Sequence, residues 1–310
     1  ITINDDVWFS SENESDIFKI QNSKVITRLD LELKGNITRL KSSDNNLLIF
    51  TDNNRLYKYK IEENELLEQK EWRANSNHDV SSGIFYYENK IWFLKENGNI
   101  ACYDLITNKL TLPISDLQKF TSILLSQDNM FWLTTNNNQL FQLNPSSNKL
   151  AEFHFTNDSN YLIKNTKSIS ASKNSIALGS YNQGVLLIDK VNKISKQYNE
   201  DNLLSNNFIA DIALDENNNF WVSTNKGISV ITEKGNINSY YQDFSINDIE
   251  YLTQSSHVDK QGNIYFGGNN GFHYFSPEEL LNSKQYMNKP VLSNLLIANK
   301  KIKVSNKRNN

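Results

Sequence analysis

The amino-acid sequence predicts an all-β protein, a seven-bladed β-propeller of four-stranded antiparallel blades. Three observations lead to this prediction: a repeat about every 40–45 residues, a double-hairpin pattern within each repeat, and apolar runs of strand length throughout the chain. The polar turns between the runs are rich in Asn, which tolerates positive φ and favours turns. A β-sandwich, or two smaller β-domains, are the alternative arrangements.

The clearest repeat unit lies between Phe208 and Tyr241. Its four apolar runs are residues 208–215, 220–224, 228–231 and 237–241, and short polar turns separate them. Apolar residues alternate within the runs, as expected for strands that pack on both faces of a sheet. Two successive hairpins give a four-stranded sheet, which is the blade of a propeller.

One anchor residue recurs in the second strand of every unit. The seven anchors are Trp8, Leu48, Trp92, Trp132, Ala177, Trp221 and Tyr265. Their even spacing matches the length of a propeller blade. We therefore expect the anchor tryptophans to be buried wedges between blades and not platforms for sugar rings.

The two ends of the repeat array are incomplete. Only residues 1–6 precede the second strand of the first unit, so we expect its innermost strand to be mostly missing. The seventh unit has no apolar run where its outer strand should lie, and a weak helical pattern over 277–286 occupies that place. We expect a propeller over 1–289 and a closing strand or linker over 290–310. The missing strand then comes from 291–304 or from upstream in a longer chain.

Composition limits the possible partners and compartments. The 32 basic and 35 acidic residues give a net charge of −3, so no nucleic-acid contact is expected. The single cysteine, Cys102, excludes an internal disulfide. No apolar run reaches the ~20 residues that cross a bilayer, so any membrane anchor lies outside this stretch. The chain starts at Ile1 without a leader, and we expect a fragment or a processed product.

The sequence offers no catalytic constellation. It has no Gly-rich phosphate loop or nucleophile elbow, and its four His residues are dispersed at no metal-ligand spacing. Neighbouring acidic residues such as Glu62 and Glu63 face opposite ways on a strand, so they are not paired acid and base. We therefore expect no catalytic residue, no metal and no cofactor.

Candidate ligand-binding residues lie in loops that depart from the repeat. Loops between blades share one face of a propeller with the turns between the second and third strands, and loops carry most binding residues. Aromatic faces together with amide and guanidinium donors suit sugar rings and their hydroxyl groups. The candidates on this face are Trp72, Arg73, His78, Tyr161, Tyr181, Asn182, Gln183, Phe244 and Asn270.

Residues 198–231 resemble the two-component-regulator propeller repeat. That pattern is Leu-x-Ser-Asn, a strand, Asp-x-x-Gly-x-hydrophobic-Trp-hydrophobic-x-Thr and a Gly-led strand. Asn219 is expected to replace the usual Gly of the first turn, since Asn also adopts left-handed backbone conformations. Residues 259–277 are similar to the last blade of that family, which ends in Phe-x-Pro. Residues 290–300 are similar to the bridge into an Ig-like three-tyrosine module.

This resemblance, specific over 198–300 and weaker over 1–180, implies the sensor half of a bacterial hybrid two-component regulator. Such proteins carry a second propeller, the Ig-like module, one membrane helix, a histidine kinase and DNA-binding parts. The resemblance implies a periplasmic, membrane-proximal propeller that responds to a polysaccharide-derived oligosaccharide. Because a close-packed propeller deforms little, we expect a signal to leave it as a rigid-body shift in a homodimer, transmitted through 290–304.

Two other functions stay open. The first is a polysaccharide lyase or glycosidase built on a propeller, and the second is a platform that binds protein alone. Because converging titratable groups are absent from the sequence pattern, we expect this fragment not to be an enzyme.

Overall fold

Seven antiparallel sheets, one for each sequence repeat, form the propeller predicted from the sequence. The computed structural model describes residues 1–11, 15–21, 25–69, 72, 80–114, 118–137, 139–157, 166–241, 250–283, 295–297 and 300–302. The chain divides into two compact units, residues 1–277 and residues 278–310. All seven blades belong to the first unit.

The blades follow one another in chain order, and each is a meander of consecutive antiparallel strands. Blade 1 contains β1 (Thr2–Ile3), β2 (Asp6–Ser10), β3 (Ile17–Gln21) and β4 (Val25–Leu29). Blade 2 contains β5 (Ile37–Ser43), β6 (Asn46–Thr51), β7 (Leu56–Lys60) and β8 (Glu65–Glu68). Blade 3 contains β9 (Val80–Tyr87), β10 (Lys90–Lys95), β11 (Ile100–Asp104) and β12 (Lys109–Thr111). Blade 4 contains β13 (Phe120–Leu125), β14 (Phe131–Thr135), β15 (Leu140–Asn144) and β16 (Lys149–Phe153). Blade 5 contains β17 (Thr156–Asn157), β18 (Thr166–Ala171), β19 (Ser175–Ser180), β20 (Val185–Asp189) and β21 (Ile194–Tyr198). In blade 5 the short strand β17 is added in parallel to the outer strand β21. Blade 6 contains β22 (Ile209–Leu214), β23 (Phe220–Thr224), β24 (Gly227–Ile231) and β25 (Ile237–Tyr241). Blade 7 contains β26 (Tyr251–Val258), β27 (Ile264–Gly268) and β28 (Gly271–Phe275).

The first strand of each blade lies nearest the axis, because the first strands of successive blades contact one another from β5 through β26. Hydrogen bonds between these strands tie blades 4 to 7 together. The Ser122 hydroxyl donates to the Thr166 carbonyl at 3.1 Å, and the Ser168 hydroxyl donates to the Asp211 carboxylate at 2.7 Å. The second Asp211 oxygen accepts from the Ser256 N–H at 2.7 Å. The buried Ser122, Ser168 and Asp211 side chains thereby have hydrogen-bond partners.

Asparagine explains many of the tight turns. Asn64, Asn108 and Asn148 each precede the fourth strand of a blade and have φ values of 52, 55 and 55°. This left-handed conformation is costly for most residues, and Asn adopts it more readily because its short polar side chain bonds locally. The high Asn content is therefore a consequence of repeated hairpin turns.

The anchor tryptophans are buried wedges, as predicted. Trp8, Trp92, Trp132 and Trp221 are at most 2% exposed. The Trp92 ring of blade 3 lies 5.2 Å from Phe131 of blade 4, and Trp221 of blade 6 lies 4.9 Å from Phe275 of blade 7. Contacts of this kind join neighbouring sheets, and each aromatic pair adds about 0.5–1.5 kcal/mol beyond the area that it buries.

In the part of the chain that the structure describes, blades 1 and 7 meet without sharing a sheet. As expected, β1 is short, with two residues, and blade 7 has three strands among the residues that the structure describes. Phe9 of blade 1 lies 5.2 Å from Phe272 of blade 7, and the Thr2 hydroxyl lies 2.6 Å from the His257 ring. Side-chain contacts therefore join blades 1 and 7.

Residues 278–310 are the second compact unit. The weak helical pattern corresponds to helix α1 (Pro277–Asn282), which begins at the end of the first unit. Of the strand expected over 291–297, the structure describes β29 (Leu295–Ile297), which pairs with β30 (Lys300–Ile302). The assignment of 290–310 as a closing strand or linker stays a prediction. Among the described residues, no helix has the length and apolarity needed to cross a membrane.

Candidate functional site

The face that carries the blade-to-blade loops and the turns between second and third strands is named the loop face. Four of the predicted binding residues, Arg73, His78, Tyr161 and Phe244, lie outside the residues that the structure describes. The other five are Trp72, Tyr181, Asn182, Gln183 and Asn270, and the structure places each of them.

Trp72 is not a surface residue, so the prediction that it contacts a ligand is wrong. Its side chain is 1% exposed, and its ring lies 5.3 Å from Phe93 and 5.1 Å from Tyr103 of blade 3. It packs in one cluster with Leu48, the non-aromatic anchor of blade 2. Trp72 thus supplies the aromatic volume that Leu48 lacks.

The turn between β19 and β20 presents Tyr181, Asn182 and Gln183 together. Tyr181 is 53% exposed, and its ring meets Phe208 edge-on with centroids 4.5 Å apart. Asn182 is exposed and Gln183 is partly exposed. Tyr181, Asn182, Gln183 and Phe208 are named the Tyr181 patch.

Backbone contacts hold the Tyr181 patch in one conformation. The Gln183 N–H donates to the Ser180 hydroxyl at 2.7 Å, and the Gly184 N–H donates to the Asn207 carbonyl at 3.0 Å. Gly184 has φ of +79°, and a Cβ there would lie 2.0 Å from the Tyr198 carbonyl oxygen. Only glycine fits this close approach, so the turn and the loop before blade 6 form one rigid surface.

An exposed ion pair joins the loop before blade 6 to the turn between β23 and β24. The Lys226 ammonium lies 2.8 Å from Glu200, and this hydrogen-bonded pair lowers the pKa of Glu200 and raises the pKa of Lys226. Glu200 also accepts from the Asn206 side chain at 3.1 Å. Leu203 ends the 3₁₀ turn of residues 200–202 with φ of 78° and is 70% exposed. The loop therefore presents amide and apolar groups beside the Tyr181 patch.

Asn270 also lies on the loop face, two blades away from the Tyr181 patch. It is exposed in the turn between β27 and β28. Its neighbour Asn269 accepts a hydrogen bond from the Glu250 N–H at 3.1 Å, which joins this turn to the start of β26. The structure thus brings Tyr181, Asn182 and Gln183 together in blade 5 and places Asn270 apart from them in blade 7.

Sequence reasoning missed a cationic pair on the inner strand of blade 2. Arg39 donates to the Gln254 side chain of blade 7 at 3.4 Å, and the Lys41 ammonium lies 5.0 Å from the Phe85 ring centroid. Burial, together with repulsion from Arg39, lowers the pKa of Lys41 to about 8, and attraction to Asp211 opposes this shift. The sequence signal for this pair was the presence of two basic residues, Arg39 and Lys41, at alternate positions of a strand that lies nearest the axis.

The two histidines of blade 7 are engaged in structural contacts. The His257 ring contacts the Thr2 hydroxyl, and burial is the main cause that lowers its pKa to about 3. The His273 Nδ1 atom lies 2.7 Å from the Tyr251 hydroxyl, and burial lowers its pKa too. Both rings are neutral at pH 7. Across the part of the chain that the structure describes, no three His, Cys, Asp or Glu side chains are grouped to hold a metal.

The first turns of blades 6 and 7 share one hydrogen-bond arrangement. The Asp215 carboxylate accepts from the Asn219 N–H, the Asn219 amide and the Trp221 indole, all within 2.9 Å. Asp259 accepts in the same way from Asn263 and Tyr265. The expectation for Asn219 was wrong by one residue, because the left-handed positions are Asn218 and Gly262, with φ of 60 and 81°.

A polar groove lies on the outer side of blades 5 and 6. It has a volume of about 580 Å³ and runs along β21 toward the turn at residues 233–235. Gln197, Asn202 and Glu233 are among its lining residues, and the Tyr198 hydroxyl donates to the Gly235 carbonyl at 3.4 Å across it. Two of its amides are already engaged, since Gln197 donates to the Gln183 carbonyl at 2.8 Å and Asn202 donates to the Gln197 carbonyl at 2.9 Å.

Comparison with known proteins gives one match to a family model, in blade 6 and the loop before it. Residues 203–226 match the family model of the two component regulator propeller. This stretch begins at Leu203 and includes the Asp215 turn and Trp221. No curated protein matches the sequence.

Solved structures share the fold at low identity. The extracellular domain of the hybrid two component system BT3049 from B. thetaiotaomicron is 20% identical, with a TM-score of 0.68 over 97% of this chain and 42% of that chain. The corresponding domain of BT4673 is 18% identical, with a TM-score of 0.67 over 88% of this chain and 37% of that chain. This chain therefore spans about two fifths of these two structures.

An enzyme also has this fold. Virginiamycin B lyase from Staphylococcus aureus is 19% identical, with a TM-score of 0.67 over 88% of this chain and 92% of the lyase. At these identities the shared fold carries no activity from one protein to another. The sequence match at 203–226 is the more specific finding. The chain is thus a seven-bladed propeller with a two component regulator propeller repeat in blade 6, and its fold is that of the extracellular domains of hybrid two component systems.

Proposed function

We propose that this chain is the periplasmic sensor propeller of a hybrid two-component regulator and that it binds a polysaccharide-derived oligosaccharide on its loop face. The observation that carries the proposal is the position of the family match. Residues 203–226 include Asn207 and Phe208, the loop residues that contact the turn of the Tyr181 patch, so the most specific part of the sequence also contributes to the best-formed candidate surface.

The chemistry of the Tyr181 patch supports a carbohydrate ligand. A half-exposed tyrosine ring offers an apolar face to the C–H groups of a sugar ring, and the phenol and amides offer donors and acceptors to its hydroxyl groups. The rigid turn at Gly184 limits the ordering cost of binding. A shallow surface of this kind fits micromolar to millimolar affinity, about −8 to −4 kcal/mol.

A glycan screen tests the ligand class. The purified chain is applied to an array of plant and host polysaccharide fragments, and at least one fragment is expected to bind and to compete in solution. Retention of no fragment, together with capture of a protein by the same face, would favour the protein-interaction platform instead.

We also propose that the chain itself is not an enzyme. The Asp211, Asp215 and Asp259 carboxylates already accept several hydrogen bonds each, and the two blade 7 histidines are neutral and bonded. Groups held in this way are poorly placed to transfer protons to a substrate. The lyase fold is the reason to test the alternative. Product analysis of glycans incubated with the chain is expected to show no cleavage, whereas turnover removed by a single acidic substitution would establish an enzyme.

The parent protein is proposed to carry the remaining parts of a hybrid regulator. These are a second propeller, an Ig-like module, a membrane helix and a histidine kinase, and the greater length of the two hybrid structures supports this. Residues 290–304 are proposed to pass a rigid-body shift between domains in a homodimer. Insertion of two flexible residues after Pro290 of the full-length regulator is expected to uncouple reporter output from inducer. Normal induction would exclude this route.

A further inference from the structure

The outer edge of blade 7 is open in the part of the chain that the structure describes. β28 pairs with β27, and no described strand lies on its other side, whereas each of the other six blades has a further strand there. Gly268 and Gly271 close a two-residue turn, so residues 271, 273 and 275 bond toward β27. The N–H and C=O groups of Phe272 and Tyr274 therefore point outward.

This edge lacks the usual protection against pairing. Exposed edges are normally guarded by charged residues, proline or bulges. Residues 261–277 contain no Lys, Arg, Asp or Glu, and the β27–β28 register has no bulge. Five of the other outer strands, β4, β8, β12, β16 and β21, do carry such a charge. The β28 edge is therefore built to be covered.

One side of β28 also presents an aromatic surface. Tyr274 is 53% exposed, and its ring stacks on Tyr265 with centroids 5.5 Å apart. Phe272 lies on the same side and contacts both Tyr265 and Phe9 of blade 1. An added strand would continue this row of aromatic rings and remove Tyr274 from water.

We propose that β28 is a dimer interface, in which it pairs antiparallel with β28 of a second copy around a two-fold axis at His273. The strand is self-complementary in this register. Phe272 faces the partner's Tyr274, and Gly271 faces the partner's Phe275. The first is a favourable aromatic pair, and in the second an aromatic side chain covers an edge glycine. The outward N–H and C=O groups of Phe272 bond to those of the partner's Tyr274.

A second copy is the occupant that these residues favour. The two-fold arrangement uses the same surface on both subunits and closes on itself, so it ends at a dimer. The other possible occupant is a strand from elsewhere in a longer chain, which would give a covered edge in a monomer. This interface is independent of the proposed ligand, because Tyr274 and the Tyr181 patch lie in different blades.

Sedimentation equilibrium of the chain over a concentration series tests the interface. Wild type is expected to dimerise, and Tyr274→Lys is expected to raise the dissociation constant at least tenfold, because it places a charge opposite an aromatic ring. Tyr241→Lys is the matched control, since Tyr241 is 65% exposed on the outer strand of blade 6. The control is expected to dimerise like wild type, and circular dichroism checks that both variants fold.

Two further measurements locate the contact. His273→Cys is expected to form an intermolecular disulfide on mild oxidation, because residue 273 meets its own copy at the axis, whereas Tyr241→Cys is not. The native Cys102 is buried, and burial raises its pKa to about 11, so it does not compete. Hydrogen exchange of the Phe272 and Tyr274 amides is expected to be slow in the dimer and fast in Tyr274→Lys. A monomer at every concentration overturns the proposal, whether those amides exchange fast or are protected by another strand.

Discussion

The indole N–H of Trp221 donates a 2.9 Å hydrogen bond to the Asp215 carboxylate inside blade 6. The other anchor tryptophans lack this partner: the indole nitrogens of Trp8, Trp92 and Trp132 are buried without a hydrogen bond to any part of the chain that the structure describes. The anchor tryptophans therefore pack in the same way, but the indole N–H is hydrogen-bonded in blade 6 and lacks a described partner in blades 1, 3 and 4. Blade 6, whose indole N–H is hydrogen-bonded, is also the blade that matches the family model.

This difference predicts unequal effects of the same substitution. Trp221→Phe removes one of the two donors to a buried oxygen of the Asp215 carboxylate, whereas Trp92→Phe removes a donor that has no partner among the described residues. We expect Trp221→Phe to lower the free energy of unfolding by about 1.5–3 kcal/mol more than Trp92→Phe does. Urea denaturation of both variants measures this. Equal losses would show that the Asp215 bond contributes nothing to stability.

Complete removal of the wedge is a separate prediction. Trp221→Ala deletes the ring that packs against Phe275 of blade 7, and we expect a loss of about 3–5 kcal/mol in the free energy of unfolding. Chemical denaturation with intrinsic fluorescence measures the loss. A change below about 1 kcal/mol would mean that the neighbouring sheets close over the cavity.

The anchors and hairpins could be predicted because strands impose a simple rule on side chains. Alternation within a strand and a fixed blade length determine which face each anchor occupies, so burial of Trp92 and Trp221 follows from spacing. The loops between blades follow no such rule. Trp72 lies in one of them, and its indole packs in one buried cluster with Leu48, a contact that no spacing in the sequence predicts. The turn at Asn218 was misplaced for the same reason, since several adjacent Asn residues compete for one left-handed position.

The candidate site was predicted only in part. Tyr181, Asn182 and Gln183 lie in a turn whose position the repeat determines, and the structure places them on the expected face. Their partner Phe208 belongs to the next blade, so the aromatic pair depends on how the loop of residues 199–208 folds back. That fold depends on the Glu200–Lys226 pair and on capping by Asn199, contacts that no periodic pattern reveals.

Two glycines with the same backbone conformation should differ in their tolerance of a side chain. Gly184 and Gly235 both have φ of +79°, but a Cβ at 184 meets the Tyr198 carbonyl oxygen at 2.0 Å and a Cβ at 235 meets only the Tyr198 hydroxyl at 2.9 Å. The side-chain hydroxyl can move more easily than the backbone. We expect Gly235→Ala to cost about 1–2 kcal/mol from strain alone and Gly184→Ala to cost clearly more. Thermal denaturation of the two variants compares them, and equal melting temperatures would contradict the close approach at Gly184.

Lys41 predicts a rise in stability at alkaline pH. Its pKa is lowered from 10.5 to about 8 in the folded chain. Between these values the unfolded chain binds the proton and the folded chain does not, so stability increases as pH rises from about 8 to 10.5. The full rise is on the order of 3 kcal/mol, and it adds to the titration of other groups.

Comparison with Lys41→Met isolates this contribution. The variant lacks the buried ammonium beside Arg39, so we expect it to be more stable than wild type at pH 7 and to lose the advantage as pH approaches 10.5. Urea denaturation across the pH range gives the difference. A constant difference between the two proteins would show that the Lys41 ammonium is well solvated in the fold.

Calorimetric titration of the Tyr181→Ala variant tests the central claim most directly. The strongest-binding glycan from the array is titrated into wild type, Tyr181→Ala and Tyr274→Ala, and the two tyrosines are a matched pair because each is 53% exposed. Loss of a stacked aromatic face at the proposed site is expected to weaken binding at least tenfold in Tyr181→Ala, about 1.4 kcal/mol, and to leave Tyr274→Ala unchanged. Wild-type affinity in Tyr181→Ala would place the ligand elsewhere and contradict the loop-face account.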